Sequence, residues 1–311
     1  MILVTGATGL AGSVMIREFA RQHAPVRALV RSRTKAQALE AFPTVEFVEG
    51  DMLRPETLTN ALSGVDRVLL ISAPNQQMVE TQCTFIDAAK KAGVRHIVKL
   101  SGVTTSLDSP FLFSRMHAEI SRYLELSGLA WTFLRPSQFM TEYLREVPTI
   151  IAERAFFFPF EDAKLATVDV DDIAKAAFAV LTTPGHEGKT YKISGPEALS
   201  MTEIAEQISL ATGSTVRYVN ISPEERKRAQ LAAGMPAYVV DALDVQSRLR
   251  REGNGEEVVH PETHLALGIR PTTFAEFARR HAADFLGTSA WGMTQKEQKH
   301  PLQDVRTQSY A

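Results

Sequence analysis

Residues 2–12 read Ile-Leu-Val-Thr-Gly-Ala-Thr-Gly-Leu-Ala-Gly, a short apolar run that meets three glycines spaced three apart: Gly6, Gly9 and Gly12. Ile2, Leu3 and Val4 suit a buried parallel strand, and Leu10, Val14, Met15, Phe19 and Ala20 give the next segment an apolar stripe at helical spacing. The glycines therefore mark a strand-to-helix turn. A residue without Cβ lets the backbone turn sharply there and approach a pyrophosphate, whose charge is met by free N–H groups and the positive end of the helix dipole. A dinucleotide is the ligand such a turn suits when it follows the first strand of an alternating βα chain.

That alternation continues. Apolar runs bounded by turn residues recur at 26–30, 45–48, 67–72, 96–100 and 131–134, with helical patterns between them. The spacing predicts a parallel sheet with helices on both faces. Pro55 opens the helix after the third run, where its missing N–H costs nothing, and Gly93 falls just past the helix that ends near 90–92. After Pro136 the rhythm changes to an aromatic cluster at 156–160, a strand-like 164–168, a helix over 172–181 and a strand at 190–193. Helical patterns follow at 201–211, 223–233, 236–251 and 273–285. The expected fold is α/β, a Rossmann-type doubly wound parallel sheet with a smaller, mostly helical second lobe. Residues 1–136 form the nucleotide domain, with 164–193 returning to its sheet, 137–163 and 194–286 form the second lobe, and 287–311 form a polar tail.

A net charge of −2 and a sequence pI near 6.5 leave no global field to attract a polyanion, so no direct nucleic-acid partner is expected. No apolar run approaches the ~20 residues that span a bilayer, and no membrane association is expected. The single cysteine, Cys83, lies in a helical pattern and reads as a buried structural thiol, in keeping with a reducing, cytoplasmic setting.

The strand at 26–30 ends in Arg31-Ser32-Arg33-Thr34-Lys35, where many NAD-binding folds keep an acidic residue for the ribose hydroxyls. Arg31 and Lys35 offer cationic donors to a 2′-phosphate and no carboxylate to repel it, so NADP(H) is favoured over NAD(H). Asp51 and Met52 follow the third strand. The carboxylate there can accept from an adenine amino group while the thioether packs on the ring, or Asp51 can cap a turn. Ser72, Ala73 and Pro74 close the fourth strand with small residues that let a cofactor pass, and Lys99-Leu100-Ser101-Gly102 closes the fifth. These carboxyl ends surround the crevice where open α/β sheets bind ligands.

These segments, with Val30-Arg31, Leu70-Ile71-Ser72, 88–94, His117, 124–129, Thr132-Phe-Leu-Arg-Pro136, 188–191, Ser194-Gly-Pro196, Leu267-Gly268 and 271–274, resemble the NmrA-like branch of the atypical short-chain dehydrogenase/reductases. Within that branch the chain is similar to NADPH-dependent quinone oxidoreductases, over roughly residues 1–286. The resemblance implies cofactor contacts from Gly6, Thr8, Gly9, Leu10, Gly12, Arg31, Lys35, Asp51, Met52, Ser72, Ala73, Pro74 and Leu100. It also implies a substrate cleft beside the nicotinamide, lined from the turn after Pro136. Where most short-chain dehydrogenases carry Tyr-x-x-x-Lys, this chain reads Phe113-Ser-Arg-Met-His117. Phe113 cannot give or take a proton, so ordinary carbonyl chemistry through a tyrosinate is not supported. His117 and Ser101 are the candidate catalytic residues.

A quinone asks less of the protein, because hydride addition leaves a stabilised aromatic oxyanion that can take its proton from water; orientation is then the main contribution. Ser137, Phe139, Tyr143 and Phe156 suit a flat aromatic substrate, although an aromatic run such as 156–160 also reads as core. The resemblance leaves two other functions open: an NADP(H) redox sensor that regulates a protein partner, and a biosynthetic imine reductase or isomerase. A homodimer also stays open. No metal is expected, since Pro261 interrupts His260-Pro-Glu-Thr-His264 and capping of the helix at 173–181 accounts for Asp169, Asp171 and Asp172.

Overall fold

The computed structural model describes residues 1–39 and 41–289, apart from the side chains of Lys35, Gln37 and Ala38. The expected polar tail lies outside the described residues from 290 onward. In chain order the strands are β1 (Ile2–Val4), β2 (Val26–Val30), β3 (Val45–Glu49), β4 (Arg67–Leu70), β5 (His96–Leu100), β6 (Ala130–Pro136), β7 (Ala155–Phe158), β8 (Lys164–Leu165), β9 (Lys189–Ile193), β10 (Leu199–Ser200) and β11 (Arg217–Asn220). A seven-stranded sheet runs in the order β3-β2-β1-β4-β5-β6-β9, and every pairing in it is parallel. The chain winds outward from β1 to β3 and then crosses back to lay β4 on the other side of β1. The doubly wound arrangement is the expected one, with its switch point at the carboxyl ends of β1 and β4.

Burial explains why the central runs are apolar on both faces. Every residue of β5 is buried, as are Leu3, Val4 and most of β4, because helices cover a parallel sheet on each side. The helix Leu10–Arg21 buries Met15, Ile16 and Phe19, and Phe19 meets Phe178 of the helix Val170–Thr182 edge-on at 5.1 Å between ring centroids. The helices Met78–Lys91 and Leu112–Leu126 pack on one another as a second pair. At the sheet borders the side chains are charged: Glu46 and Glu49 are exposed on β3, and Lys189 and Lys192 on β9.

Contacts divide the chain into two units, the first made of Met1–Pro136, Val170–Ile193 and Glu262–Arg270, the second of Ser137–Asp169, Ser194–Pro261 and the chain from Pro271. Of the expected 164–193, residues 170–193 belong with the sheet and 164–169 do not, while 262–270, expected in the second lobe, lies in the first unit. β8 pairs antiparallel with β10, Leu165 opposite Leu199, and β9 alone takes the place beside β6, from Thr132 opposite Lys189 to Pro136 opposite Ile193.

The second unit has its own core, which gathers Met140, Tyr143, Val147, Ile150, Phe156, Phe158, Met201, Ile204, Phe274 and Phe277. The aromatic cluster there is a strand: β7 runs parallel to β11, Ala155 opposite Arg217 and Phe158 opposite Asn220. Capping boxes start three helices, Ser200 with Glu203 before Met201–Thr212, Ser222 with Glu225 before Pro223–Ala232, and Thr273 with Glu276 before Phe274–Arg280. The helix expected over 273–285 is two pieces, broken at His281, whose Nδ1 lies 2.7 Å from Asp284 Oδ2.

The glycine turn is set by sterics. Gly6 has φ +60, and a Cβ there would stand 2.9 Å from the carbonyl oxygen of Ile71. A Cβ on Gly12 would stand 2.1 Å from the carbonyl oxygen of Gly6. Backbone faces backbone at both places, so neither clash can be relieved by a rotamer change. Gly12→Ala is expected to destabilise the first unit by about 1–3 kcal/mol through overpacking, read as a lower urea midpoint; an unchanged midpoint would show that the turn yields.

Candidate functional site

Gly9 is the N-cap of the helix Leu10–Arg21, with extended backbone (φ −79, ψ 172), and no side chain caps that helix among the described residues. The N–H groups of its first turn have no intrahelical acceptor by geometry. Thr8, Gly9 and Leu10 are exposed around them. A Cβ on Gly9 would meet only the carbonyl oxygen of Gly6, at 3.2 Å. The turn thus keeps open donors, positive dipole and surface access in one place, which is what a phosphate requires.

The expected nucleotide residues lie at the carboxyl ends of β2, β3 and β4. Arg31 is exposed just past β2. Arg33 is turned toward β3: its guanidinium donates to the Phe47 carbonyl at 3.0 Å and its backbone N–H to Glu49 Oε1 at 3.0 Å. This corrects one expectation, since Glu49 brings a carboxylate to a loop read as free of one. The side chain of Lys35 lies outside the described residues. Asp51 shapes a turn, with Oδ1 accepting from the Leu53 N–H at 3.0 Å and its own N–H donating to Thr57 Oγ1 at 2.9 Å; Met52 beside it is half-buried. Ser72 Oγ accepts from Gln82 Nε2 at 2.8 Å, and Ala73 and Pro74 are exposed.

At the ends of β5 and β6 the Ser101 N–H donates to the Leu134 carbonyl at 2.9 Å and its hydroxyl turns toward the same oxygen at 3.4 Å. Leu100 is buried before it. Gly102 is open on its Cβ side, the nearest atom being the Pro136 carbonyl oxygen at 3.9 Å. Phe113 is buried, edge-on to Phe111 at 5.6 Å between centroids, and supplies no proton. One turn along that helix, His117 Nδ1 lies 2.9 Å from Nζ of Lys99, a lysine with 0% exposure on β5.

Sequence reasoning passed over Lys99 and Arg135 as strand residues. The available signal was a charged residue inside the otherwise apolar run His96-Ile-Val-Lys-Leu100 of a central parallel strand. Burial, the Arg135 charge and a weak opposing influence of Cys83 bring the Lys99 ammonium down to about 7. Burial, then Lys99 and Arg135, holds His117 well below the ordinary imidazole value, so its ring is neutral near neutrality. Burial also lowers the Arg135 guanidinium, whose Nε is enclosed without a hydrogen-bond partner while its charge lies 5.7 Å from the Phe133 ring centroid. The site is therefore cationic from behind and carries a neutral imidazole in front.

In the second unit, Ser137 is buried with its hydroxyl 3.4 Å from the Glu256 carbonyl oxygen, and Phe139 is half-buried on a bridge to Val168. Tyr143 and Phe156 have 0% exposure. They lie in the aromatic core, the Tyr143 ring edge-on to Phe156, Phe158 and Phe274, its hydroxyl toward Met201 Sδ at 3.7 Å. This corrects their assignment to the substrate: neither ring has a free face. Asp172 pairs with Lys175 at 2.8 Å and Asp169 with Arg280. Pro261 opens the short helix Pro261–Leu267, so the two histidines around it fall on either side of a helix start.

Comparison with known proteins gives these features a context. The model of a family described as the NmrA-like family matches residues 1–278. An NAD(P)H azoreductase from Xenophilus azovorans is 39% identical over 286 residues, covering 92% of this chain and 99% of that one. The solved NADPH complex of an NADPH-dependent quinone oxidoreductase from Escherichia coli superposes with a TM-score of 0.80 at 31% identity, covering 90% of this chain and 99% of that one. The triphenylmethane reductase of Citrobacter sp., solved with NADP(H), has a TM-score of 0.80 at 26% identity, covering 91% of this chain and 100% of that one.

The corrected place of Phe156 makes a prediction. Phe156→Ala should cost about 3–5 kcal/mol, as truncation of a buried aromatic does, seen as a lower denaturant midpoint for the second unit. A stable variant with altered substrate KM would instead return Phe156 to the pocket.

Proposed function

The chain belongs to the NmrA-like family and is an NAD(P)H-dependent oxidoreductase, and from that premise we propose that it reduces quinones and similar flat aromatic electrophiles with NADPH. The observation that carries this reading is the site at the ends of β5 and β6, where Phe113 replaces an ionisable tyrosine and a neutral His117 is backed by the buried Lys99. Such a site orients and stabilises a developing anion and does not need to donate a proton in the hydride step. Azo dyes and triphenylmethane dyes, the substrates in the names of two relatives, share the flat conjugated frame and fall in the same class.

Bound NADPH supplies the hydride from its nicotinamide ring. The uncapped helix start behind Gly9 takes the pyrophosphate, with Gly6 and Gly12 letting the backbone approach. Arg31, exposed and unshielded past β2, takes the 2′-phosphate. Leu100, Ala73 and Pro74 form an apolar border at the strand ends. His117 and Ser101 face the reacting end, and Gly102 leaves room beside them.

NADPH oxidation by the purified chain, followed against a panel of quinones, azo dyes, imines and carbonyl compounds, tests the reading. Turnover is expected with quinones and azo dyes above the carbonyl compounds. Tight NADPH binding with no turnover across the panel would overturn it in favour of a redox sensor.

The basic loop gives a second expectation. Arg31→Ala should weaken NADPH by about 10- to 100-fold, the loss of a charge-assisted contact of about 1.5–3 kcal/mol, and leave NADH nearly unchanged. Calorimetry with both cofactors checks it, and equal wild-type affinity for NADH and NADPH would remove Arg31 from this role.

A further inference from the structure

Lys99 is the least expected residue of the first unit: a lysine with 0% exposure, on the central strand β5, whose hydrogen bond among the described residues goes to a histidine. No carboxylate lies within ion-pair distance of it among the described residues. Burying an ammonium without an anion is costly, and a purely structural position would hold Leu or Met at no such cost. We propose that Lys99 is a positioning residue that fixes His117 as its Nε2–H tautomer, so that the imidazole presents a donor to the reacting end of the site. This rests on the reductase reading above and extends it.

The argument is one of donors and acceptors. An ammonium has three N–H donors and no lone pair, so at 2.9 Å it can only donate to Nδ1. A neutral imidazole whose Nδ1 accepts must carry its proton on Nε2. His117 stays neutral, because burial and the nearby charges of Lys99 and Arg135 hold it well below the ordinary imidazole value. The residue is half-buried and its Nδ1 is held by Lys99, which leaves Nε2 as the working end.

Three groups face Lys99 from the neighbouring elements: His117 from the helix Leu112–Leu126, Arg135 from β6, and Cys83 from the helix Met78–Lys91. The Cys83 thiol, pushed up to about 11 mainly by burial, is neutral and supplies no anion at neutral pH. The lysine therefore loses its proton near 7, as burial and Arg135 dictate. Below that point the ammonium enforces the Nε2–H tautomer. Above it the amine gains a lone pair, can accept from Nδ1–H, and the imidazole is free to turn its donor inward. Activity should accordingly be held at lower pH and fall through one proton step near 7.

The test uses the full chain. Imidazole 15N NMR of wild-type protein, free and with NADP+, should show His117 as Nε2–H below the Lys99 transition at about 7 and a tautomer mixture above it. Lys99→Met, close in size but unable to donate, should show the mixture at every pH and a kcat lower by about 10- to 100-fold, the loss that follows misplacement of a reacting group, with KM little changed. Lys99→Arg keeps N–H donors without a lone pair and does not titrate in this range; it should keep the Nε2–H tautomer and most of kcat and abolish the pH step. A wild-type His117 carrying its proton on Nδ1 below the transition would overturn the proposal, as would a Lys99→Met protein with wild-type tautomer and kcat. Should Lys99→Met fail to fold, the wild-type titration and Lys99→Arg decide it. The tautomer is read without turnover, so a chain that reduces nothing on the panel fails the functional reading alone.

Discussion

The site depends on how β1 and β4 are held together where their ladder ends. Thr5 continues the pairing past β1, its N–H donating to the Leu69 carbonyl at 3.0 Å. Its hydroxyl then bridges the next step, donating to the Ile71 carbonyl at 2.6 Å and accepting from the Ile71 N–H at 2.8 Å. One side chain thus completes both halves of a rung that the departing backbone can no longer supply. The Ile71 carbonyl fixed in this way is the atom that a Cβ on Gly6 would strike. The position of the turn, and of the helix start behind it, follows from a two-way hydrogen bond at the crossover of a doubly wound sheet.

The two groups of basic residues work in different dielectric settings. Arg31 and Arg33 are exposed, where water and salt weaken any single charge and geometry gives selectivity. Lys99 is withdrawn from water and Arg135 is half-buried, so the same charge acts more strongly over the same distance and shifts the protonation of its neighbours. In the proposed reading the loop selects the cofactor and Lys99 conditions His117. The second unit buries its ions differently, Arg250 on Glu256 at 2.7 Å and Arg226 on Glu146 at 3.0 Å, each cation matched to an anion. The unmatched lysine of the first unit stands out against that practice.

How much of this was legible depended on whether the deciding contacts were local. The strands at 26–30 and 96–100 could be read because unbroken apolar runs between turn residues are the signature of buried parallel strands. The glycine turn was equally plain, its cause being steric and confined to a few neighbours. β7 reads in the sequence as an aromatic cluster, for Ala155-Phe-Phe-Phe158 lacks the alternation of a half-buried strand and its partner β11 lies some sixty residues on, as in Phe156 opposite Tyr218. Tyr143 and Phe156 read in the sequence as pocket residues because composition cannot say which aromatic faces meet protein, and the rings that pack on Tyr143 include Phe274 from far along the chain. Lys99 shows in the sequence only as a charge inside an apolar run; its partners His117 and Arg135 are brought near by the fold and not by the sequence.

The charged borders of the sheet have a consequence for how the molecule behaves in a crowded solution. A terminal strand exposes unpaired backbone groups and is a template for adding another chain. On β9 the exposed positions carry Lys189 and Lys192, and the Thr263 hydroxyl occupies the Lys192 carbonyl at 2.5 Å; on β3 they carry Glu46 and Glu49. Two copies meeting border to like border would set lysine against lysine or glutamate against glutamate, where like charges oppose pairing. Pairing of like borders is thereby opposed by side chains that take no part in the core, whereas the unlike borders, one anionic and one cationic, meet no such opposition.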